Sequence, residues 1–527
     1  MRAILFGVGL GLCGAGSAIA APYDVTEKDI ATLEADMAAG KVDAAGLVAA
    51  YEDRIRTVDA KLHSVIALNP DAMEQARALD AERRAGHVRG PLHGIPILVK
   101  DNIETLDPMP TTAGSLALAN NITHRDAPVV ARLRAAGAIV LGKTNLSEWA
   151  NIRSTRSISG WSAIGGWTHN PYVLDRSTCG SSAGSGAAVA ASLAAAALGT
   201  ETNGSLVCPG SFNGIVSLKP TVGLVSRTHI VPISHSQDTA GPMTRSVADA
   251  ALVLAAMAGS DPDDPATREA DARRADYAAL AGASLQGKRL GVIVPPPEQL
   301  SPAVGALLEH AFSLLRAQGA TVIPINDFVR PPGAPDEEGI VLKYELKHDL
   351  AAYLQSLPGS GPKSLSDLIA FNAATPRETV LFGQDYFEMS NAMGELTDPA
   401  YVQAHDDLVA STRALLDRTL TQHHLDALIR ATDDPSFRVD VVHTDVDGPS
   451  ASFLPATSGY PHLTVPMGYV DGLPVGLSFI GPAWSEAQLL AMGASFERTA
   501  HARHPPAYLP SLESTPAMAA ALAPLPR

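Results

Sequence analysis

Basic residues are scarce in this 527-residue chain: 39 Lys+Arg stand against 55 Asp+Glu, a formal net charge of −16. A surface of that sign does not gather the phosphate contacts that non-specific nucleic-acid binding depends on, and anionic membranes repel it. Neither partner is expected. Cysteine is scarcer still. Three cysteines support neither a disulfide-built scaffold nor a four-cysteine zinc site. Charged residues of both signs reach 18% against 46% hydrophobic, which excludes a disordered chain. No segment offers about 20 unbroken apolar residues, the length a membrane span needs. The 44 Gly and 39 Pro follow no period, so collagen-like and low-complexity architectures drop out. A chain this long buries its own core without staples.

The first residues read as an address. Arg2 precedes a short apolar run, Ile4–Leu12, and small residues follow to Ala18-Ile19-Ala20-Ala21-Pro22. That is a charged region, an apolar region and an Ala-x-Ala cleavage site. Residues 1–21 are therefore expected to be a secretory signal, and the mature chain a soluble, exported protein, periplasmic or secreted. It keeps two cysteines, Cys179 and Cys208.

Helical spacing of Ile30, Leu33 and Met37, then Leu47, Val48, Tyr51 and Ile55, predicts amphipathic helices within 24–60. Gly94–Val99 predicts a buried strand ending in Lys100-Asp101-Asn102. Val129–Ala136 predicts a helix and Ala138–Leu141 a strand. Residues 151–186 read as loop, Gly186–Ala197 as an Ala-rich helix, and Leu198–Gly210 as loop again. A helix is expected over Val247–Met257, a strand over Leu290–Val294, a helix over Pro302–Gln318 and a strand over Thr321–Ile325. Residues 326–440 turn mostly helical, which predicts a lid or an inserted subdomain. Strands over Leu463–Met467 and Val475–Ile480, a closing helix over Ser485–Arg498 and a loose tail over 511–527 complete the pattern. Strands alternating with helices imply an α/β layer architecture.

Three motif matches fail on context. Gly137–Thr144 fits G-x4-G-K-[ST], but Ala138-Ile139-Val140-Leu141 is a buried strand, whose N–H groups belong in a ladder and not around a phosphate. Gly180-Ser181-Ser182-Ala183-Gly184 fits the nucleophile elbow, yet polar Asp175–Cys179 supplies no strand before it. The 16 histidines form no H-E-x-x-H, so no metal is expected.

What remains is a pair of small-residue loops, Cys179–Gly186 and Gly199–Pro209. Small residues allow close approach and let backbone N–H groups face a ligand. On composition alone they read as two tight turns flanking a packed helix. Five motifs change that reading because they occur together and in order: Gly94-Ile95-Pro96 through Lys100-Asp101, the Gly-Ser-Ser loop, Gly204-Ser205, Leu218-Lys219-Pro220-Thr221, and Asp238 through Gly241-Pro242. The set resembles the amidase signature family of hydrolases, densely over about 90–260 and again at Gly472-Leu473-Pro474-Val475-Gly476. Asn145–Asn151, Ile158–Ser162, Gly199–Thr202 and Leu346–Leu350 resemble its peptide amidase branch.

The resemblance implies one large α/β domain over 22–510, a mixed, twisted sheet covered by helices with the helical 326–440 region near the active-site mouth, and a Ser-cisSer-Lys triad. Ser205 would be the nucleophile, Ser181 the bridging serine after a cis peptide, and Lys100 the base. Backbone N–H groups of Thr202, Asn203, Gly204 and Ser205 would form the oxyanion hole. The chemistry is demanding. A serine hydroxyl needs an adjacent base. At a pKa of about 10.4 only roughly one lysine in 2,500 is neutral at pH 7, so burial at an apolar strand end must lower it. The reaction implied is hydrolysis of a primary carboxamide, foremost the C-terminal amide of a peptide, with no cofactor and no metal. The substrate would be a peptide or small-molecule amide and the enzyme a monomer. Two alternatives stay open: a broader amidase or esterase of the same family, and an ammonia-supplying amidotransferase component that works with a partner. Three departures stand out. Cys179 and Asn203 occupy positions where glycine is common, and Val207 replaces a common arginine. Cys179 and Cys208 would flank the site. Disulfide geometry is narrow, so two buried thiols are the expected state.

Overall fold

The described residues form thirteen strands, in chain order β1 (Val65–Leu68), β2 (Pro96–Lys100), β3 (Ile139–Thr144), β4 (Trp161–Ser162), β5 (Gly166–Trp167), β6 (Ala196–Glu201), β7 (Val216–Lys219), β8 (Thr239–Thr244), β9 (Arg289–Ile293), β10 (Thr321–Ile325), β11 (Ala427–Ala431), β12 (His462–Val470) and β13 (Leu473–Ile480). The computed structural model describes residues 23–280, 282–293, 301–446 and 448–524. The expected signal segment lies outside them. Eleven strands form one mixed sheet in the order β1-β3-β2-β6-β8-β7-β12-β13-β11-β9-β10, and β4 and β5 form a small hairpin apart. β2 runs parallel to both β3 and β6, while β6 pairs antiparallel with β8.

The central strands are apolar along most of their length because both faces are covered. Every residue of β2, β3 and β6 is buried. Residues 137–144, which carry the phosphate-loop pattern, fold as β3 and the turn into it, and Lys143 donates to Thr111 Oγ1 at 2.8 Å. One apolar cluster runs from Val25 through the central sheet to Phe496, so the strands and their covering helices form a single α/β domain. No helix is long and apolar enough to cross a membrane, among the described residues.

The Ala-rich stretch folds differently from its propensity. The helix spans Ala183–Ala190, and by Ala196 the chain is already in β6. Alanine favours helix by less than about 1 kcal/mol per residue over most alternatives, and a ladder on both sides of β6 outweighs that. Leu198–Glu201, expected as loop, belongs to β6, and Val207–Phe212 is a helix. The helical region holds Ala334–Ser356, Leu365–Ala374, Asp385–Asn391 and Pro399–Gln422, then ends as β11 rejoins the sheet. The tail carries a short helix, Pro516–Leu522.

Candidate functional site

Lys100 closes β2 and is fully buried. Its Nζ lies 2.8 Å from Ser181 Oγ, 2.8 Å from Thr200 Oγ1 and 3.4 Å from the Thr200 carbonyl. No carboxylate touches it among the described residues. Burial brings its pKa down to about 7, against a weaker upward pull from Asp238 and Glu201. A neutral Nζ can accept a proton from the hydroxyl it faces. Asn102, two residues on, donates to the same Thr200 Oγ1 at 3.0 Å, which fixes that hydroxyl against the lysine.

Ser181 follows a cis Gly180–Ser181 peptide. Its carbonyl accepts from the Ser147 N–H at 3.0 Å. A Cβ on Gly180 would fall 2.1 Å from Ser147 Oγ, so any larger residue here would have to displace that hydroxyl. Ser182, the elbow-pattern serine, points elsewhere. Its Oγ donates to the Thr200 carbonyl at 3.0 Å and accepts from the Thr200 N–H at 3.2 Å.

Ser205 sits between Gly204, at φ 79°, and the helix Val207–Phe212. The Ser182 N–H donates to the Ser205 carbonyl at 3.2 Å, so the two loops meet directly. Among the described residues the Ser205 hydroxyl takes no hydrogen bond, and the N–H groups of Thr202, Asn203 and Ser205 have no protein acceptor. Glu201 explains the sharp turn. Its buried carboxylate accepts from the N–H groups of Leu206 at 2.8 Å and Val207 at 3.1 Å. Burial raises the Glu201 pKa, opposed by Lys219 and by backbone N–H groups that include Gly204. The Thr202 hydroxyl donates to Asp238 at 2.6 Å, and Asp238 also holds the N–H groups of Ile233 and Ser234.

Cys179 and Cys208 are joined in a disulfide. The expectation of two buried thiols is therefore corrected. The two loops approach closely because serine, glycine and alanine leave no bulk between them, and that approach brings the cysteine Cα atoms to 5.9 Å, within bonding range.

A cavity of about 490 Å³ opens beside the site, lined by Asn102, Thr200, Thr202, Ile233, Asp238 and Tyr353 among others. Nearby, His235, Glu345 and Asp349 cluster within 4.8 Å. These groups satisfy one another. His235 Nδ1 is 2.9 Å from Asp349, and Glu345 accepts from Tyr401 at 2.7 Å and Ser236 at 2.5 Å.

Of the residues expected from the sequence, the structure sets Lys100 against Ser181 and the Ser205 turn against the loop that carries Ser181 and Ser182. Thr200, Asn102 and Glu201 were not expected as individual contributors, although each lies within or beside the quoted motifs. Glu338, which contacts Asn203 from the helical region, carries no local signal at all.

The amidase family model matches residues 46–490. The structure of native peptide amidase from Stenotrophomonas maltophilia superposes with a TM-score of 0.86 at 49% identity, over 92% of this chain and 99% of that one. A probable amidase of Arabidopsis thaliana is 38% identical over 93% of each chain. A putative amidase of Schizosaccharomyces pombe is 36% identical over 87% of this chain and 82% of its own.

Proposed function

The chain belongs to the amidase family and is an amide-hydrolysing enzyme, and from that premise we propose that it removes the C-terminal amide of peptides, releasing carboxylate and ammonia. The observation that carries the mechanism is Ser181 Oγ held 2.8 Å from a buried, depressed-pKa Lys100. In this reading Ser205 attacks the amide carbon while its proton passes through Ser181 to Lys100. The carbonyl oxygen gathers negative charge against the backbone N–H groups of Thr202, Asn203 and Ser205, since that of Gly204 faces the Glu201 carboxylate; each such donor is worth about 3–4 kcal/mol. Collapse expels ammonia, protonated through the same relay, and leaves an acyl-Ser205 ester. Water, deprotonated by the relay in turn, hydrolyses the ester.

Likeness to the peptide amidase at 49% identity over 99% of that chain supports the peptide substrate. The Ile4–Leu12 run with its small-residue cleavage site supports export. The disulfide supports an oxidising compartment. Action as a monomer, without metal, cofactor, nucleic acid or membrane, completes the proposal. The test is turnover by the purified mature chain of an N-acyl dipeptide amide, the matching methyl ester, the matching anilide and free glutamine, with and without EDTA. Preference for the peptide amide by kcat/KM, unchanged by EDTA, is expected. Preference for the ester or anilide would install the broader-specificity reading. Activity only on glutamine would install the amidotransferase reading.

A further inference from the structure

Asn203 stands where glycine is common in the family it resembles, and its backbone gives no reason for the change. Among the described non-glycine residues with positive φ it does not appear, whereas its neighbour Gly204 sits at φ 79°. Its side chain does give a reason. Nδ2 donates to Glu338 Oε1 at 2.8 Å, and Oδ1 accepts from Ser452 Oγ at 2.6 Å. Both polar ends of the amide are therefore held, one by the helix Ala334–Ser356 and one by the residue that begins the helix Phe453–Ser458.

Glu338 does more than meet Asn203. The same Oε1 accepts from Gln237 Nε2 at 2.9 Å, and that nitrogen also reaches the Thr202 carbonyl at 3.3 Å. One carboxylate oxygen thus gathers the Thr202–Asn203 segment from two directions. The residue next along is a glycine with a wide conformational range. Backbone N–H groups placed there stabilise a developing oxyanion only if they do not have to be reorganised during the reaction, and a misplacement near 1 Å costs about 100-fold in rate.

We propose that Glu338 is a positioning residue for the oxyanion loop, acting through Asn203 and Gln237, so that the inserted helix is a working part of the amide-hydrolysing apparatus. The proposal rests on the reading above in which the N–H groups of Thr202, Asn203 and Ser205 receive the oxyanion. It makes Asn203, Gln237 and Glu338 one unit. Removing the carboxylate frees the amide, and removing the amide leaves the carboxylate nothing to position at that residue.

The experiment is a double-mutant cycle in the full mature chain with an N-acyl dipeptide amide as substrate. A peptide aldehyde of the same acyl sequence is the probe, since its serine adduct places an oxygen where the oxyanion forms. Glu338→Ala should lower kcat by about 10- to 100-fold with KM within about twofold, and weaken aldehyde binding by a comparable factor. Glu338→Gln keeps the accepting oxygen and should retain most of the activity. In an Asn203→Gly, Gln237→Ala background, where both arms are already gone, Glu338→Ala should add little, the non-additivity expected of groups acting together. A reciprocal exchange covers the case in which Glu338→Ala fails to fold. Asn203→Asp alone should lose activity, because two carboxyl groups then face each other, and Asn203→Asp with Glu338→Gln should recover it. Additive losses in the cycle, a loss confined to KM, or no recovery in the exchange would overturn the positioning role. Retained turnover in Ser205→Ala would instead overturn the reading of the site itself, which separates the two failures.

Discussion

The disulfide between Cys179 and Cys208 ties the loop that carries Ser181 to the helix that follows Ser205. The two serines come from segments joined by a helix and a strand, so their approach depends on how those segments dock. The bond removes one way for them to part. Closing a loop with a sequence separation of 29 is worth about 3–4 kcal/mol on the chain-entropy estimate. Cys179→Ala with Cys208→Ala should lower stability by a few kcal/mol, read as a reduced denaturation midpoint. Alkylation of the denatured chain should label neither of these cysteines before reduction and both afterwards. Labelling before reduction would refute the bond.

Lys100 sets the pH dependence. Its pKa near 7 follows from burial, and only the neutral amine accepts the proton relayed from Ser205. kcat/KM should therefore rise about tenfold per pH unit below about 7 and level off above it. The same shift acts on stability. The unfolded lysine titrates near 10.4, so between about 7 and 10.4 the unfolded state binds more protons. Stability gains from this residue as pH rises through that window. A Lys100→Met variant should lack this contribution to the slope of stability against pH, measured by denaturant titration at several pH values.

Much of this site was written in local patterns. Ile97-Leu98-Val99 is an apolar run short enough for one strand, and it delivers Lys100 to the strand's end as expected. The helices Val247–Met257 and Pro302–Ala317 also follow their apolar spacing. Alanine offers no such pattern, and the boundary between the helix Ala183–Ala190 and β6 is set by neighbours in the sheet, not by the segment itself. The disulfide and the Glu338–Asn203 contact escaped for a related reason. Each depends on how distant segments meet, and spacing along the chain does not encode a meeting across 135 residues.

Gly184 shows why the first loop is built from such small residues. A Cβ there would lie 2.4 Å from the Ser64 carbonyl oxygen and 2.5 Å from that of Asn145. Both are backbone atoms, so neither moves aside as a side-chain tip would. Gly184→Ala should destabilise by roughly 1–3 kcal/mol or more, the usual range for overpacking, and should depress kcat because the helix it begins carries the Ser181 loop. Gly166→Ala provides the contrast: nothing lies within 4 Å of its added Cβ, so only its φ of 67° opposes the change. A thermal melt that ranks the two the other way would contradict the packing argument.

The last prediction separates Ser205 from its neighbour in motif, Ser182. Both lie in glycine- and serine-rich loops, and Ser182 alone fits the elbow pattern. The hydroxyl of Ser182 is nonetheless spent: it donates to the carbonyl of Thr200 and accepts from the N–H of the same residue. Its role is to hold β6 in place beneath the lysine. Ser182→Ala leaves the Thr200 N–H short of a partner and its carbonyl with the longer Lys100 contact, which costs about 1–3 kcal/mol, so it should lower stability while measurable turnover persists. Ser205→Ala removes the only oxygen that can form the acyl-enzyme in the proposed relay and should reduce kcat by at least about 1,000-fold, with Lys100→Ala nearly as severe, since members of one relay do not contribute additively. A serine-directed phosphonate offers a check that folding damage cannot confuse. Digested and mapped by mass, its adduct should fall on Ser205 in the unmodified enzyme. An adduct on Ser182, or a Ser205→Ala enzyme that still releases ammonia, would exclude the Ser205–Ser181–Lys100 relay.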